Sequence, residues 1–582
     1  MPIADWSVLI FYLLGTVTLG VMLGRLVKSS SDMFSAGGQS PWWASGLSAF
    51  MTMFSANTFV VWGSIAFDVG MVAVVINLMY GIAAILAGIF VASHWKSLGI
   101  ATPAEFVRLR FGSGALHFYT WAMMLFRIVG TAGALYALAK ILVAIMPLEA
   151  GNILRDAETG NLSLRYAILI FGSIVVLYTM IGGLWAVLMT DVLQFIILNL
   201  AVLFVVPLAL SQVGGIEGFI TSAPEGFFEL VKEDKYTLFF LAGWIAIHFF
   251  MIGAEWAFVQ RFLCVPTKKD ARKSTFLFGG LYLCSPLLWL LPPMIYRVTN
   301  PAADAEQAYI LACKSVLPVG MVGLMLAAMF SATASMVSSQ LNVFSGVLTN
   351  DIYKPLAKSP SPRSLLNAGR IFTVILGAVL ILIALEMEKL GRISDVIISV
   401  TELMVVPLLA PSLWGLFSKR IGGRAVWITG LSGFLLGALI RFGFGDGGWF
   451  NNIAFLESLD AWVVANANFL KTFVGVIFPV GVLTMIQLSS PIEDKGWKAI
   501  ASLSQQQELE EKQHPHHANP VAAKIVAWCL GVCGLLMLSL ILVNESAKGI
   551  LAAFGMTLFI LSGIILFSAT RSKPGAKQLS RS

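Results

Sequence analysis

The recurrence of long apolar runs constrains this chain more than any other feature. About fifteen stretches hold 18 or more mostly apolar residues, near 5–25, 42–66, 71–93, 115–145, 165–182, 185–211, 237–261, 273–297, 317–349, 365–386, 394–417, 425–443, 467–488, 522–543 and 549–570. Each is long enough to cross the hydrocarbon core of a bilayer as a helix. Composition agrees: with 58% hydrophobic and 12% charged residues over 582 positions, the chain has too little charge to clothe a soluble globule. The expected fold class is an all-α polytopic membrane protein. Five cysteines (Cys264, Cys284, Cys313, Cys529 and Cys533) lie mostly in or beside these runs. They read as packing residues rather than as a disulfide framework or a zinc site.

Basic residues alternate between loops. Arg25 and Lys28; Lys96, Arg108 and Arg110; Arg261, Lys268, Lys269, Arg272 and Lys273; Lys354, Lys358 and Arg363; Lys419, Arg420 and Arg424; and a tail with Arg571, Lys573, Lys577 and Arg581 form one set. The intervening segments 146–164, 212–236, 298–316 and 444–466 are acidic or mixed. The positive-inside rule then places the N-terminus outside and the C-terminus in the cytoplasm, in a cell (plasma or inner) membrane. The net charge of +7 follows from that bias and gives no sign of nucleic acid. No basic residue precedes the first run and no small-residue cleavage site follows it, so it reads as a retained helix. The segment 490–520, with His514, His516 and His517, reads as a solvated cytoplasmic connector.

Several polar residues fall inside the apolar runs, where an ionisable group costs at least ~2.5 kcal/mol and normally faces a bundle interior or a water-filled path. Asp191 lies in such a run with Thr190 and Gln194 within one turn. Arg127 lies mid-span in the fourth run, with Asp191 its candidate partner, whereas Asp68 and Glu402 each lie near an expected helix end or cavity. Two runs read as broken helices. In one, Ser55, Asn57 and Thr58 interrupt an apolar span, and such side chains compete with helical backbone hydrogen bonds. In the other, His248 and Glu255 stand two turns apart, before Gln260 and Arg261. Helix breaks near the midplane present carbonyls and helix ends as ligands for ions and solutes.

Two stretches carry a family resemblance. Gly182-Gly183-Leu184-Trp185-Ala186-Val187-Leu188-Met189-Thr190-Asp191-Val192-Leu193-Gln194-Phe195 resembles the signature of the sodium:solute symporter family. Leu326-Ala327-Ala328-Met329-Phe330-Ser331-Ala332-Thr333-Ala334-Ser335-Met336-Val337-Ser338-Ser339, followed by Asn350-Asp351-Ile352-Tyr353, is similar to its sodium-site helix. The resemblance extends to about residue 420 and is nearest to the bacterial sodium/sugar branch. It implies a leucine-transporter-like fold with inverted five-helix repeats at 42–211 and 237–417. The remainder would be an accessory helix and loop (1–41), an external loop (212–236), accessory helices (418–489), the linker and C-terminal helices (521–582). It also implies a sodium site formed by the carbonyls of Met51, Phe54 and Ala332 and the hydroxyl of Ser335. Where the family carries a second hydroxyl this chain has Met336, a soft thioether that binds alkali cations poorly. Thr333 or Ser338 would have to supply the missing oxygen, or sodium dependence would weaken. The positions matching the sugar pocket are Thr58, Asn77, Tyr80, His248 and Tyr282, with Trp62 and Met251 as apolar walls. That set contains no Arg or Lys, which favours a neutral or zwitterionic solute.

The function expected is secondary active transport, sodium-coupled symport of a small organic solute by alternating access, with sodium as the bound ion. Two alternatives stay open: a proton-coupled or ion-independent transporter, favoured by Met336 with His248, Glu255 and Asp191, and a non-transporting nutrient sensor. No nucleophile–base pair, phosphate loop or metal cluster points to an enzyme.

Overall fold

The computed structural model describes residues 2–24, 38–233, 235–357, 360–390, 393–444, 448–450, 453–490, 493–513, 520–542 and 548–571. His514, His516, His517, Arg25, Lys28, Lys358 and the basic residues beyond Arg571 lie outside these. In chain order the helices used below are α1 (Ile3–Gly24), α2 (Trp42–Met53), α3 (Gly63–Val69), α4 (Met71–Phe90), α5 (Pro103–Phe111), α6 (Ser113–Val143), α7 (Leu164–Gln212), α8 (Leu238–Ala254), α9 (Trp256–Leu263), α10 (Lys268–Cys284), α11 (Met321–Val347), α12 (Pro362–Glu386), α13 (Ile393–Phe417), α14 (Gly423–Phe442) and α15 (Lys495–Gln513).

Among the described residues, eleven helices are long and apolar enough to cross a membrane, or thirteen if two bent pairs each count as one span. The two remaining expected runs, 5–25 and 165–182, appear as shorter apolar stretches, Ile3–Gly15 and Leu164–Leu177. The expected separation near residue 183 is not a loop, because helical structure continues through Gly182-Gly183 for 49 residues. A straight helix of that length would run about 73 Å, and its apolar stretches lie on either side of the glycine pair.

Both expected breaks are present. Between α2 and α3 the axis bends by 60°. Phe54 turns extended (φ −95°, ψ 127°), the Ser55 hydroxyl accepts from the Asn57 N–H at 3.2 Å, and Thr333 Oγ1 accepts from the Ala56 N–H at 2.9 Å. A π-helical turn, Thr58–Trp62, then leads into α3. Between α8 and α9 the bend is 53°, at Glu255 (φ −71°, ψ 134°). The Trp95 Nε1–H donates at 2.7 Å to the Gly253 carbonyl, which the break leaves without a helical donor.

α11 is the axis of the molecule: all of its 27 residues are buried. A helix enclosed on every side has no polar face to solvent, so its serines and threonines face protein. Close approach elsewhere rests on small residues, as at α4 and α10, where a Cβ on Gly81 would lie 2.9 Å from the Gly279 carbonyl oxygen.

α1 is fixed to the start of α11 by Asp5, whose Oδ1 accepts from the N–H groups of Gly320 (2.7 Å) and Gly323 (2.9 Å). Asp5 thus acts as a cap supplied from another helix, with its charge at the positive end of the α11 dipole. Asp5→Ala should lower stability by about 1–2 kcal/mol, read as a fall in the melting temperature of the purified protein. An unchanged melting temperature would show that water replaces the cap without loss.

Where described, the linker is largely solvent-facing, as a solvated connector would be, but it is not without regular structure. Its first part forms α15, packed on α5. Arg110 on α5 is buried and donates from Nη1 to Asp494 Oδ1 (2.8 Å), from Nε to the Gly415 carbonyl (3.1 Å) and from Nη2 to the Ser418 carbonyl (2.7 Å). Burial pulls the Arg110 guanidinium below its ordinary pKa, and the Asp494 charge opposes that pull. No local pattern points to this pair, because Asp494 reads as an ordinary charge in a polar segment.

Candidate solute and ion site

The two breaks face a small cavity of about 100 Å³. At ~30 Å³ per water it has room for about three, so a solute enters only as the surrounding helices part. Thr58, Tyr80 and His248 line it, as expected of solute-binding residues, with Trp62, Trp244 and Met251 as apolar walls. The Tyr80 and His248 rings meet edge to face at 4.1 Å between centroids. His248 Nδ1 lies 2.8 Å from the Trp244 carbonyl, which only accepts, so Nδ1 carries the hydrogen.

Asn77 and Tyr282 do not line the cavity. Asn77 donates to the Ala73 carbonyl one turn back along α4 (2.9 Å). Tyr282 packs against Phe50, Tyr80 and Trp289 at centroid distances of 4.9, 5.4 and 5.6 Å. Both stand behind the wall.

One lining residue corrects the reading of an uncharged pocket: Arg127, from α6. Its partner is Glu255 at the second break, not Asp191: Nη2 lies 3.2 Å from Glu255 Oε2. Glu255 is fully buried and also accepts from Gln340 Nε2 at 3.3 Å. Glu255 thus answers Arg127 and Gln340 across the bundle, joining α6, the break and α11, rather than His248 two turns back on its own span. Arg127 Nε has no partner among the described residues.

Asp191 stands in a second buried network between α7, α2 and α11. Its two carboxylate oxygens accept from the hydroxyls of Ser48 and Ser335. Arg261 Nη2 lies 3.9 Å from Oδ2, and both side chains are fully buried. The same guanidinium donates to Ser48 Oγ (3.2 Å), Ser339 Oγ (2.7 Å), the Ala257 carbonyl (3.2 Å) and Gln260 Oε1 (3.1 Å). By its place in the sequence Arg261 reads as a loop residue marking the cytoplasmic side. It lies instead inside the bundle on α9, and sequence position alone gave no sign of it. Of the polar neighbours expected for Asp191, Thr190 donates to the Val187 carbonyl (3.0 Å), and neither amide atom of Gln194 has a partner among the described residues.

The residues expected to hold sodium gather at the first break. Met51 is in the last turn of α2, its carbonyl receiving the Phe54 N–H (3.1 Å), and Phe54 is the extended residue. Ala332 and Ser335 lie on α11, which the break meets through Thr333. Thr333 also donates to the Met329 carbonyl (3.2 Å) and Ser338 donates to the Ser335 carbonyl (3.0 Å), so both hydroxyl hydrogens are engaged in holding backbone. Met336 lines the cavity. Among the described residues no cluster of three His, Cys, Asp or Glu could hold a metal. Any cation here would rest on carbonyl and hydroxyl oxygens, which suits a hard ion.

Comparison with known proteins gives the family and the fold. A sodium/sialic acid symporter of Aliivibrio fischeri is 26% identical over 509 residues, covering 84% of this chain and 93% of that protein. Sodium/glucose cotransporter 1 of Mus musculus is 27% identical over 547 residues, covering 84% and 79%. The solved structure of a Na+-coupled sialic acid symporter, described as a substrate-bound outward-open state, superposes with a TM-score of 0.66 at 22% identity, covering 82% of this chain and 97% of that one. The fold is therefore leucine-transporter-like, as the family resemblance implied. The sodium:solute symporter family model matches residues 33–433. This chain belongs to the sodium:solute symporter family, whose members are multi-pass membrane transporters that couple solute uptake to sodium.

Proposed function

We propose that the cavity between the breaks binds a neutral polyhydroxylated solute of sugar type, moved with sodium by alternating access. One observation carries this reading: Arg127, the cation in the cavity wall, is already balanced by Glu255 at 3.2 Å. The pair leaves the wall with guanidinium donors but no net charge, beside the flat faces of Trp62, Tyr80 and Trp244. Thr58 and His248 add polar contacts. The inverted repeats at 42–211 and 237–417 place one break in each half, so that rocking of one half on the other opens the site to alternate sides. The basic loops set the N-terminus outside and the C-terminus in the cytoplasm, within a lipid bilayer.

A second reading has its own observation. The unpaired Nε of Arg127 is positioned to receive a carboxylate, which would draw Arg127 from Glu255 and admit a sugar acid. Uptake of labelled hexoses and sugar acids into proteoliposomes, with and without a sodium gradient, separates the two. The first predicts that hexoses are carried and that Arg127→Gln reduces their uptake about tenfold, as for loss of a charged hydrogen bond. Uptake confined to sugar acids would replace it with the second, and sodium-independent uptake of either would overturn the coupling.

The sodium ligands proposed are the carbonyls of Met51, Phe54 and Ala332 and the Ser335 hydroxyl. Met336→Ser adds an oxygen where a thioether now stands. It should lower the sodium concentration for half-maximal uptake several-fold. A rise would show that a compensating oxygen already completes the cage.

A further inference from the structure

A second cavity, of about 660 Å³, lies on the outer flank of the bundle between α6, α13 and α14. Its volume is within the ~300–1,000 Å³ of ordinary ligand sites. Its lining is almost wholly apolar, with Trp121, Leu125 and Phe434 on its walls, and Trp121 and Leu125 also strongly exposed on the protein's outer surface. Arg441, in the last turn of α14, is the one charged side chain among the lining residues. Its guanidinium lies over the Phe442 ring at 5.6 Å, and no carboxylate among the described residues pairs with it.

We propose that this groove binds one acyl chain of an anionic membrane phospholipid, with the phosphate at Arg441. The occupant follows from the chemistry of the two ends. The apolar groove opens on a flank whose exposed residues are of the kind a spanning helix turns to lipid, so an acyl chain is the material already present there. A cation at the end of a spanning helix reaches the headgroup level, where a guanidinium recognises phosphate by paired N–H donors.

The site has a consequence for transport. Val129 on α6 and Val400 on α13 line this groove and also the solute cavity, so they form the partition between them. The solute cavity must widen from about 100 Å³ to admit a sugar, and outward movement of this partition is resisted when the groove behind it is filled. Close-packed interiors transmit such displacement because they hold few voids to absorb it. The bound chain therefore supports the partition and links lipid composition to the solute site.

Native mass spectrometry of the full chain extracted from phosphatidylcholine vesicles containing phosphatidylglycerol tests the binding site without requiring the solute. One phosphatidylglycerol should remain bound. Arg441→Gln, at an exposed position, should lower its occupancy about fivefold, the value of one basic residue at a charged lipid surface. Ala438→Trp, which fills the groove, should abolish it, and Arg424→Gln at the opposite end of α14 should leave it unchanged. Equal retention by Arg441→Gln and Ala438→Trp overturns the proposal, as does a dimer that Ala438→Trp dissociates, since the groove would then be covered by a second copy. Hydrogen exchange tests the partition: phosphatidylglycerol should slow exchange at 126–131 and 397–401 in the unmodified protein and not in Arg441→Gln. Bound lipid without that difference would overturn the link to the solute site.

Discussion

Asp191→Asn should abolish sodium-driven uptake and also destabilise the protein, by about 3–5 kcal/mol, the usual cost of removing one partner of a buried ion pair. Sequence reasoning alone gives the opposite sign for stability, since removing a charge from an apolar helix eases its insertion. The structure reverses that sign because Arg261, fully buried, lies 3.9 Å away and would lose its counter-charge. Its other hydrogen bonds, to Ser48, Ser339, Gln260 and the Ala257 carbonyl, are all to neutral groups. The double variant Asp191→Asn with Arg261→Met should recover much of the lost stability, since replacing a whole buried pair is often neutral. It should not recover transport, because Ser335 would no longer donate to a carboxylate where it meets the sodium site. Thermal unfolding of the purified variants and uptake in proteoliposomes measure the two effects separately. A single variant with unchanged stability and rate would leave Asp191 only a packing role.

Glu255→Gln should produce the second large effect. Gln keeps the shape and an acceptor for Gln340, but leaves Arg127 uncompensated in the cavity wall. Breaking a charge pair of this kind costs about 2–5 kcal/mol, and Arg127, near cavity water, places it at the lower end. The more specific outcome concerns the solute. With the cavity wall now positive, uptake of a neutral hexose should fall by at least an order of magnitude, while a sugar acid, if carried at all, should gain relative to it. Measuring both rates at fixed sodium checks this. Equal loss for the two solutes would show that Glu255 holds the break in shape and does not set the charge of the pocket.

Much of the fold was legible in the sequence because bilayer chemistry is local. An apolar run of about 20 residues declares a helix without reference to its neighbours, and among the described residues each of the fifteen runs contains a helix, two of them broken. The breaks were legible for a similar reason: Ser55, Asn57 and Thr58 compete with the backbone in their own turn, and the structure shows the Ser55 hydroxyl receiving the Asn57 N–H. Thr58, Tyr80 and His248 were placed by resemblance and do line the cavity, whereas Asn77 and Tyr282 fall behind it. In a close-packed bundle, one further turn of rotation or one intervening ring separates lining from packing.

Local chemistry along the chain is enough to set the class of the protein, its spans, the two interruptions and the presence of charges that need a reason to lie in hydrocarbon. Which charges answer one another is set by how the helices pack. Arg127 belongs to Glu255 and Asp191 to Arg261, although Arg127 had been matched with Asp191 and Arg261 read as a loop residue. The physical reason is range: helix formation and membrane insertion are settled by residues a few positions apart, whereas an ion pair depends on how four helices rotate about a buried fifth. Burial makes each such pairing obligatory, because an unanswered charge in that interior costs several kcal/mol. The pairing therefore follows from packing geometry, which no local pattern of residues records.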